Sequence, residues 1–214
     1  MIDLDLIIFD LDGTLIDSKA DIANAVNYML TQLDIKPLED EIIHSYVGKG
    51  VARLIKLSIT DNHLDEFDKA IRLFRDYYLE HLMDNTTIYP NVNSILEYFG
   101  GKKKAIVTNK DERYTSPIIK DLGLLPYFDK IICGDTMSNK KPHPEPLNAV
   151  MDQLGVERDK ALIVGDGSAD IEAGRRANIH TCGLTGGFGS REVLIEAGAQ
   201  IIIDDIAELK NYYL

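Results

Sequence analysis

The strongest constraint on this chain is a series of short, unbroken apolar runs, several of which end on a polar residue. They are Leu6-Ile7-Ile8-Phe9 before Asp10, Ala105-Ile106-Val107 before Thr108, and Ile131-Ile132-Cys133 before Gly134-Asp135. Ala161-Leu162-Ile163-Val164 precedes Gly165-Asp166, and Ile201-Ile202-Ile203 precedes Asp204. Runs of this length without alternation fit strands covered on both faces, as in a parallel sheet. Helical patterns separate them, which points to βαβ units and an α/β fold with helices on both faces of the sheet. Ligands of open α/β sheets bind beyond the carboxyl ends of the strands. The polar residues fall at those ends.

One segment breaks the alternation. From Asp17 to about Asn85 the pattern is helical, with no convincing strand. Ser18 and Asp21 form an S-x-x-D start signal, and Ile22, Val26, Met29, Leu30 and Leu33 follow at helical spacing. A second helical stripe uses Leu64, Phe67, Ile71, Phe74, Tyr78 and Leu82, with Gly48 and Gly50 punctuating the stretch between. The expected organisation is a core of residues 1–16 and 88–214 with a helical insert over 17–87.

Composition narrows the function. With 45% hydrophobic residues the 214-residue chain can bury a full core. A formal net charge of −12 repels phosphate backbones and anionic lipid surfaces, so no nucleic-acid or membrane partner is expected. The densest basic run, Lys102-Lys103-Lys104, reads as a solvated turn before a strand. Cys133 and Cys182 read as two buried thiols in a reducing compartment. No leader pattern or membrane span is visible, and a cytoplasmic protein is the expectation. The oligomeric state is not legible.

Two acidic elements carry the chemistry. The first run continues into Asp10-Leu11-Asp12-Gly13-Thr14, where carboxylates two residues apart can face one pocket and Gly13 allows a tight turn. The second element is Gly165-Asp166-Gly167-Ser168-Ala169-Asp170, with Asp166 in a loop and Asp170 in the first turn of a helix starting near Ser168. Four converging acids repel one another. A hard divalent cation such as Mg²⁺ relieves that repulsion. Thr108-Asn109 can hold phosphoryl oxygens at a strand end. Lys141, stiffened by the Pro142-His143-Pro144-Glu145-Pro146 run, can present one fixed ammonium. His143 reads as a loop residue. Gly186-Gly187-Phe188-Gly189 lacks a nucleotide-loop spacing and reads as a permissive turn before a helix.

In this order, D-x-D-G-T, a strand-end Thr, a Lys before a proline-rich loop and G-D-x-x-x-D resemble the haloacid dehalogenase superfamily of phosphohydrolases. The resemblance spans Phe9 to Leu209 and implies a Rossmann-like core with a small helical cap. Asp17-Ser18, residues 23–33 and Val47-Gly48-Lys49-Gly50 look most like the phosphoglycolate phosphatase branch. One departure is Gly167, where many relatives carry Ser.

The resemblance implies roles residue by residue. Asp10 would attack phosphorus to form an aspartyl-phosphate. Asp12 would protonate the leaving alcohol and then deprotonate water. Mg²⁺ would be held by the Asp10 carboxylate, the Asp12 carbonyl and Asp166, with Asp170 orienting metal-bound waters. Thr108, Asn109 and Lys141 would bind the phosphoryl group. Lys49 and Arg53 are candidates for holding a substrate carboxylate, as in 2-phosphoglycolate. The substrate is a small phosphate ester; a phosphosugar mutase, a pyrophosphatase or nucleotidase, and a non-catalytic phospho-ligand binder are the alternatives.

Overall fold

The computed structural model describes residues 1–214, the side chain of Asn62 apart. The chain opens with β1 (Leu6–Phe9) and a two-residue strand β2 (Ile16–Asp17). Helices α1 (Lys19–Gln32), α2 (Asp40–Tyr46), α3 (Val51–Ser58) and α4 (Phe67–Glu80) follow, before β3 (Thr87–Ile88). The rest alternates through α5 (Val92–Tyr98), β4 (Lys103–Val107), α6 (Glu112–Asp121), β5 (Lys130–Ile132) and α7 (Glu145–Leu154). It ends with β6 (Ala161–Gly165), α8 (Ser168–Ala177), β7 (His180–Leu184), α9 (Arg191–Ala197) and β8 (Ile201–Ile203).

Six strands form one parallel sheet in the order β5-β4-β1-β6-β7-β8. The chain therefore winds outward from β1 to β5, crosses back, and winds outward again from β6 to β8. The crossing opens a crevice at the carboxyl ends of β1 and β6, the switch point where such sheets bind ligands. The apolar runs behave as expected. Ile7 and Phe9 pack into one buried cluster, while Leu6 and Ile8 pack into a second on the opposite face. Each such side chain contributes roughly 1.5–3 kcal/mol by leaving water.

The insert is helical as anticipated, and its apolar stripes face inward except at the exposed Leu64. Ile22, Val26, Met29 and Leu30 of α1 are buried, as are Ala70, Phe74 and Tyr78 of α4. They join the same cluster as Ile7 and Phe9, so one continuous core underlies both parts. The ribbon at the junction was not foreseen: β2 pairs antiparallel with β3, Ile16 opposite Ile88 and Asp17 opposite Thr87. Two-residue strands carry too little pattern to read. The expected boundaries at 16/17 and 87/88 cut across this ribbon.

Three local expectations change. Ser18 does stand at the start of α1, but its hydroxyl makes no cap bond. It donates to Asp12 instead, at 2.7 Å. Asp21 is likewise diverted: its buried carboxylate accepts from the Asn85 and Thr86 N–H groups, the Asn85 amide and the Thr86 hydroxyl, at 2.7–3.0 Å. Finally, the lysine run is a turn before a strand only at Lys102. Lys103 and Lys104 lie in β4, and buried Lys104 donates its ammonium to the carbonyls of Phe99 and Lys102. The two cysteines are buried and free, and burial pushes their thiols up to about 11 and about 12. No described helix is long and apolar enough to cross a membrane.

Candidate active site

Asp10 is the first residue beyond β1. Its N–H donates to the Val164 carbonyl at 2.9 Å, which locks the end of β1 against β6. Its Oδ1 accepts from the Leu11 N–H at 2.7 Å and from the Lys141 ammonium at 2.8 Å. No described protein group bonds its Oδ2. Lys141 also donates to Asp170 Oδ1 at 2.6 Å, and the Gly167 N–H donates to Asp170 Oδ2 at 3.0 Å. Asp170 thus fixes Lys141 and the loop that carries Asp166. A Cβ at Gly167 would approach nothing closer than 3.4 Å, so a serine would fit this backbone.

Asp166 accepts from the Thr14 hydroxyl at 3.1 Å and the Phe188 N–H at 2.7 Å. The glycines around it are required by close approach. Gly13 has φ +84°, and a Cβ there would strike the Asp166 carboxylate. A Cβ on Gly187 or Gly189 would collide with Asp166 as well. The Gly186–Gly189 loop, expected only as a permissive turn, therefore folds over Asp166 and supplies one of its hydrogen bonds.

Of the four acids expected to converge, three do: oxygen atoms of Asp10, Asp166 and Asp170 lie within 4.8 Å of one another, whereas the Asp12 carboxylate is taken by Ser18 and Lys110. Burial, then the neighbouring Asp170 charge, pushes the Asp10 carboxyl up to about 8, with Lys141 opposing. Burial and Asp170 raise Asp166 to about 6. Burial alone would lower Lys141, but Asp10 and Asp170 outweigh it and hold the ammonium protonated. One cation facing three carboxylates leaves an excess of negative charge on an all-oxygen donor set. Such a set fits Mg²⁺, which prefers a few carboxylates plus water.

A cavity of 430 Å³ opens over these groups, lined by Asp10, Asp12, Thr108, Asn109, Asp166 and Asp170 from the core. Lys141 sits against Asp10, almost fully buried. The insert contributes Lys49 to the lining but not Arg53. Arg53 is exposed because α3 turns Val51 and Leu54 toward the cavity, and residue 53 lies on another face. Thr108 Oγ1 accepts from the Lys110 N–H at 3.2 Å, which leaves its own proton to donate. Asn109 is committed elsewhere: its amide donates to the carbonyls of Gly48 at 2.8 Å and Lys141 at 2.9 Å. The side chain thereby ties the insert to the Lys141 loop, and its backbone N–H is the group left for an anion.

Lys110 escaped the sequence reading. Its ammonium pairs with Asp12, at 2.9 Å to Oδ1 and 3.1 Å to Oδ2, and donates to the Tyr78 hydroxyl at 2.6 Å. A cation three residues past the end of β4, next to Thr108-Asn109, was the available signal. Tyr78 was legible only as a core position, since its ring does lie on the apolar stripe of α4.

Known proteins resemble this chain in sequence and fold. The profile of the haloacid dehalogenase-like hydrolases matches residues 7–184. A phosphoglycolate phosphatase of Chromobacterium violaceum is 39% identical over 208 residues, spanning 94% of this chain and 92% of that protein. One from Aquifex aeolicus is 42% identical over 178 residues, 82% of each chain. The crystal structure of a predicted phosphoglycolate phosphatase from Haemophilus somnus superposes with a TM-score of 0.92 at 30% identity, covering 99% of this chain and 98% of that one. The paired carboxylates at the switch point, the fixed ammonium and these relatives agree: the chain belongs to the haloacid dehalogenase-like hydrolases and is a phosphatase of the phosphoglycolate phosphatase-like branch.

Proposed function

We propose that this protein hydrolyses a small phosphate monoester, 2-phosphoglycolate, with Mg²⁺ and through an aspartyl-phosphate on Asp10. The observation that carries the reading is the Asp10 carboxylate. One oxygen is clamped by Leu11 and Lys141, and the other is left open on the cavity where Thr108 also stands. Asp10 Oδ2 attacks phosphorus as the bond to the leaving oxygen breaks. Asp12 gives that oxygen a proton. Water then attacks the aspartyl-phosphate, Asp12 takes its proton, and phosphate leaves with Asp10 restored. Lys141, the Thr108 hydroxyl and the Asn109 N–H hold the phosphoryl oxygens, the main task in phosphoryl transfer. Mg²⁺ would be held by Asp10, the Asp12 carbonyl and Asp166, and when bound supplies charge neutralisation at the phosphoryl oxygens.

The named relatives support the substrate, and Lys49 at the cavity is a cation for its carboxylate. In this reading residues 1–16 and 88–214 form the catalytic core and residues 17–87 the cap. A net charge of −12 and two free thiols support a cytoplasmic enzyme of small phosphate esters, with no nucleic-acid partner. The test is a panel of phosphate esters assayed for released phosphate with Mg²⁺ and with excess chelator. 2-Phosphoglycolate should have the highest kcat/KM, and chelation should abolish turnover. Full turnover in chelator would reject the metal, and isomerisation of a sugar phosphate without phosphate release would indicate a mutase.

A further inference from the structure

Lys110 is a buried cation, its side chain 5% exposed, that the chemistry above does not use. Its three N–H groups match three acceptors: both oxygens of Asp12 and the phenol oxygen of Tyr78. The ammonium also stands 4.7 Å from the centroid of the Tyr78 ring. Lys110 and Asp12 belong to the core, whereas Tyr78 belongs to α4 of the insert. The flanking residues bridge the same seam. Asn109 donates to the Gly48 carbonyl, and Asp111 lies 3.7 Å from Arg75 of α4. Of these three consecutive residues, only Lys110 also reaches Asp12.

Asp12 Oδ1 is gripped twice, by the Ser18 hydroxyl and by Lys110. Its Oδ2 is held by Lys110 alone among the described residues. The rotation of the carboxylate about its last bond therefore depends on where the ammonium sits. A lysine stem is flexible. The Tyr78 hydroxyl holds the ammonium from the insert at 2.6 Å, and the Tyr78 ring is itself held by packing at 5.4 Å from Phe74 and 5.1 Å from Tyr114.

We propose that Lys110 and Tyr78 are a positioning pair that orients the Asp12 carboxylate and makes that orientation depend on the insert being docked. The proposal rests on Asp12 acting as the acid and base of the reaction. When the insert is docked, the phenol oxygen holds the ammonium over both carboxylate oxygens. When it is displaced, the ammonium loses that acceptor and the carboxylate loses its alignment. Proton transfer is thereby confined to the docked, covered state.

A double-mutant cycle tests this, with Mg²⁺ and p-nitrophenyl phosphate as the probe. Tyr78→Phe keeps the ring and its packing but removes the hydroxyl. It should lower kcat about tenfold and change KM by less than about twofold. In the Asp12→Asn background the same change should cost less than about twofold in residual kcat, because the residue it acts through is gone. Lys110→Met, run through the same cycle, should behave alike. Equal fold losses in both backgrounds, or no loss in the wild-type background, would overturn the positioning role while leaving the function of Asp12 standing. Undiminished activity of Asp12→Asn alone would instead show that the acid–base reading of Asp12 is wrong, and the proposal would fall with it.

Discussion

On the core wall of the cleft, Asp10, Asp12, Asp166 and Asp170 are each gripped by hydrogen bonds from fixed donors. Across from them the insert presents the apolar side chains Ile22, Val47, Val51, Leu54 and Phe74, with His44, Ser45, Lys49 and Tyr78 among them. The difference separates two tasks. In the proposed reaction the core wall holds charge in place where charge would develop in the transition state. The insert wall bonds the core at the Tyr78 hydroxyl and the Gly48 carbonyl and otherwise covers the charged floor with apolar groups that exclude water, which strengthens the electrostatics beneath it.

The largest effect expected from this division lies on the core wall. Asp10→Asn should reduce kcat at least about a thousandfold, since the nucleophile is removed. The metal-free variant should melt no lower than the wild type, because one of three crowded carboxylates has lost its charge. Rapid quench with phosphate-labelled substrate should place the label on Asp10 in the wild type and nowhere in the variant. Label on any other residue would break the assignment.

A smaller effect follows from the raised carboxyls. Asp10 at about 8 and Asp166 at about 6 bind protons more tightly when folded than when unfolded. Their contribution to stability is therefore fully present below their unfolded values, near 4, and is lost as pH rises through 6 to 8. A bound cation offsets that loss. The rise in Tm on adding saturating Mg²⁺ should be larger at pH 8 than at pH 6, by at least about 2 °C. Scanning calorimetry at the two values checks it, and an equal or smaller rise at pH 8 would contradict the crowding.

The smallest effect tests the insert wall. Lys49→Ala should lower kcat/KM for 2-phosphoglycolate about tenfold, the worth of one charged hydrogen bond, and for p-nitrophenyl phosphate by less than about twofold. Arg53→Ala, outside the cavity, should change neither. Equal losses on both substrates for Lys49→Ala would mean that the insert wall does not read the carboxylate.

The same division marks what the sequence could reveal. The core wall was legible because its residues follow apolar strands directly: Phe9 leads to Asp10, Val107 to Thr108, and Val164 through Gly165 to Asp166. Chain proximity to a buried strand fixes their place. Lys110, Ser18 and Phe188 were not legible because their roles depend on which distant residue they meet. Lys110 meets Asp12 across 98 positions and Phe188 meets Asp166 across 22. Ser18 looked like a helix cap because local pattern cannot show that an acid six residues back competes for its hydroxyl. Arg53 looked like a ligand because type and neighbourhood suited it, yet the rotation of α3 turned it away.

The pairing of Ile16 with Ile88 and Asp17 with Thr87 has a consequence for how such a chain could be rebuilt. Seen from the sheet, the whole insert is the loop of a hairpin, entering and leaving at neighbouring positions. Lengthening a four-residue turn to roughly seventy residues is about four doublings, and costs only about 2.5 kcal/mol in closure entropy. Asp21 gathers the returning strand at Asn85 and Thr86, so the seam is fastened from within the inserted segment. A segment fastened in that way has the ends of a cassette: a foreign domain with closely spaced ends could be spliced at the same seam, provided that it also covers the core face that α1 and α4 bury.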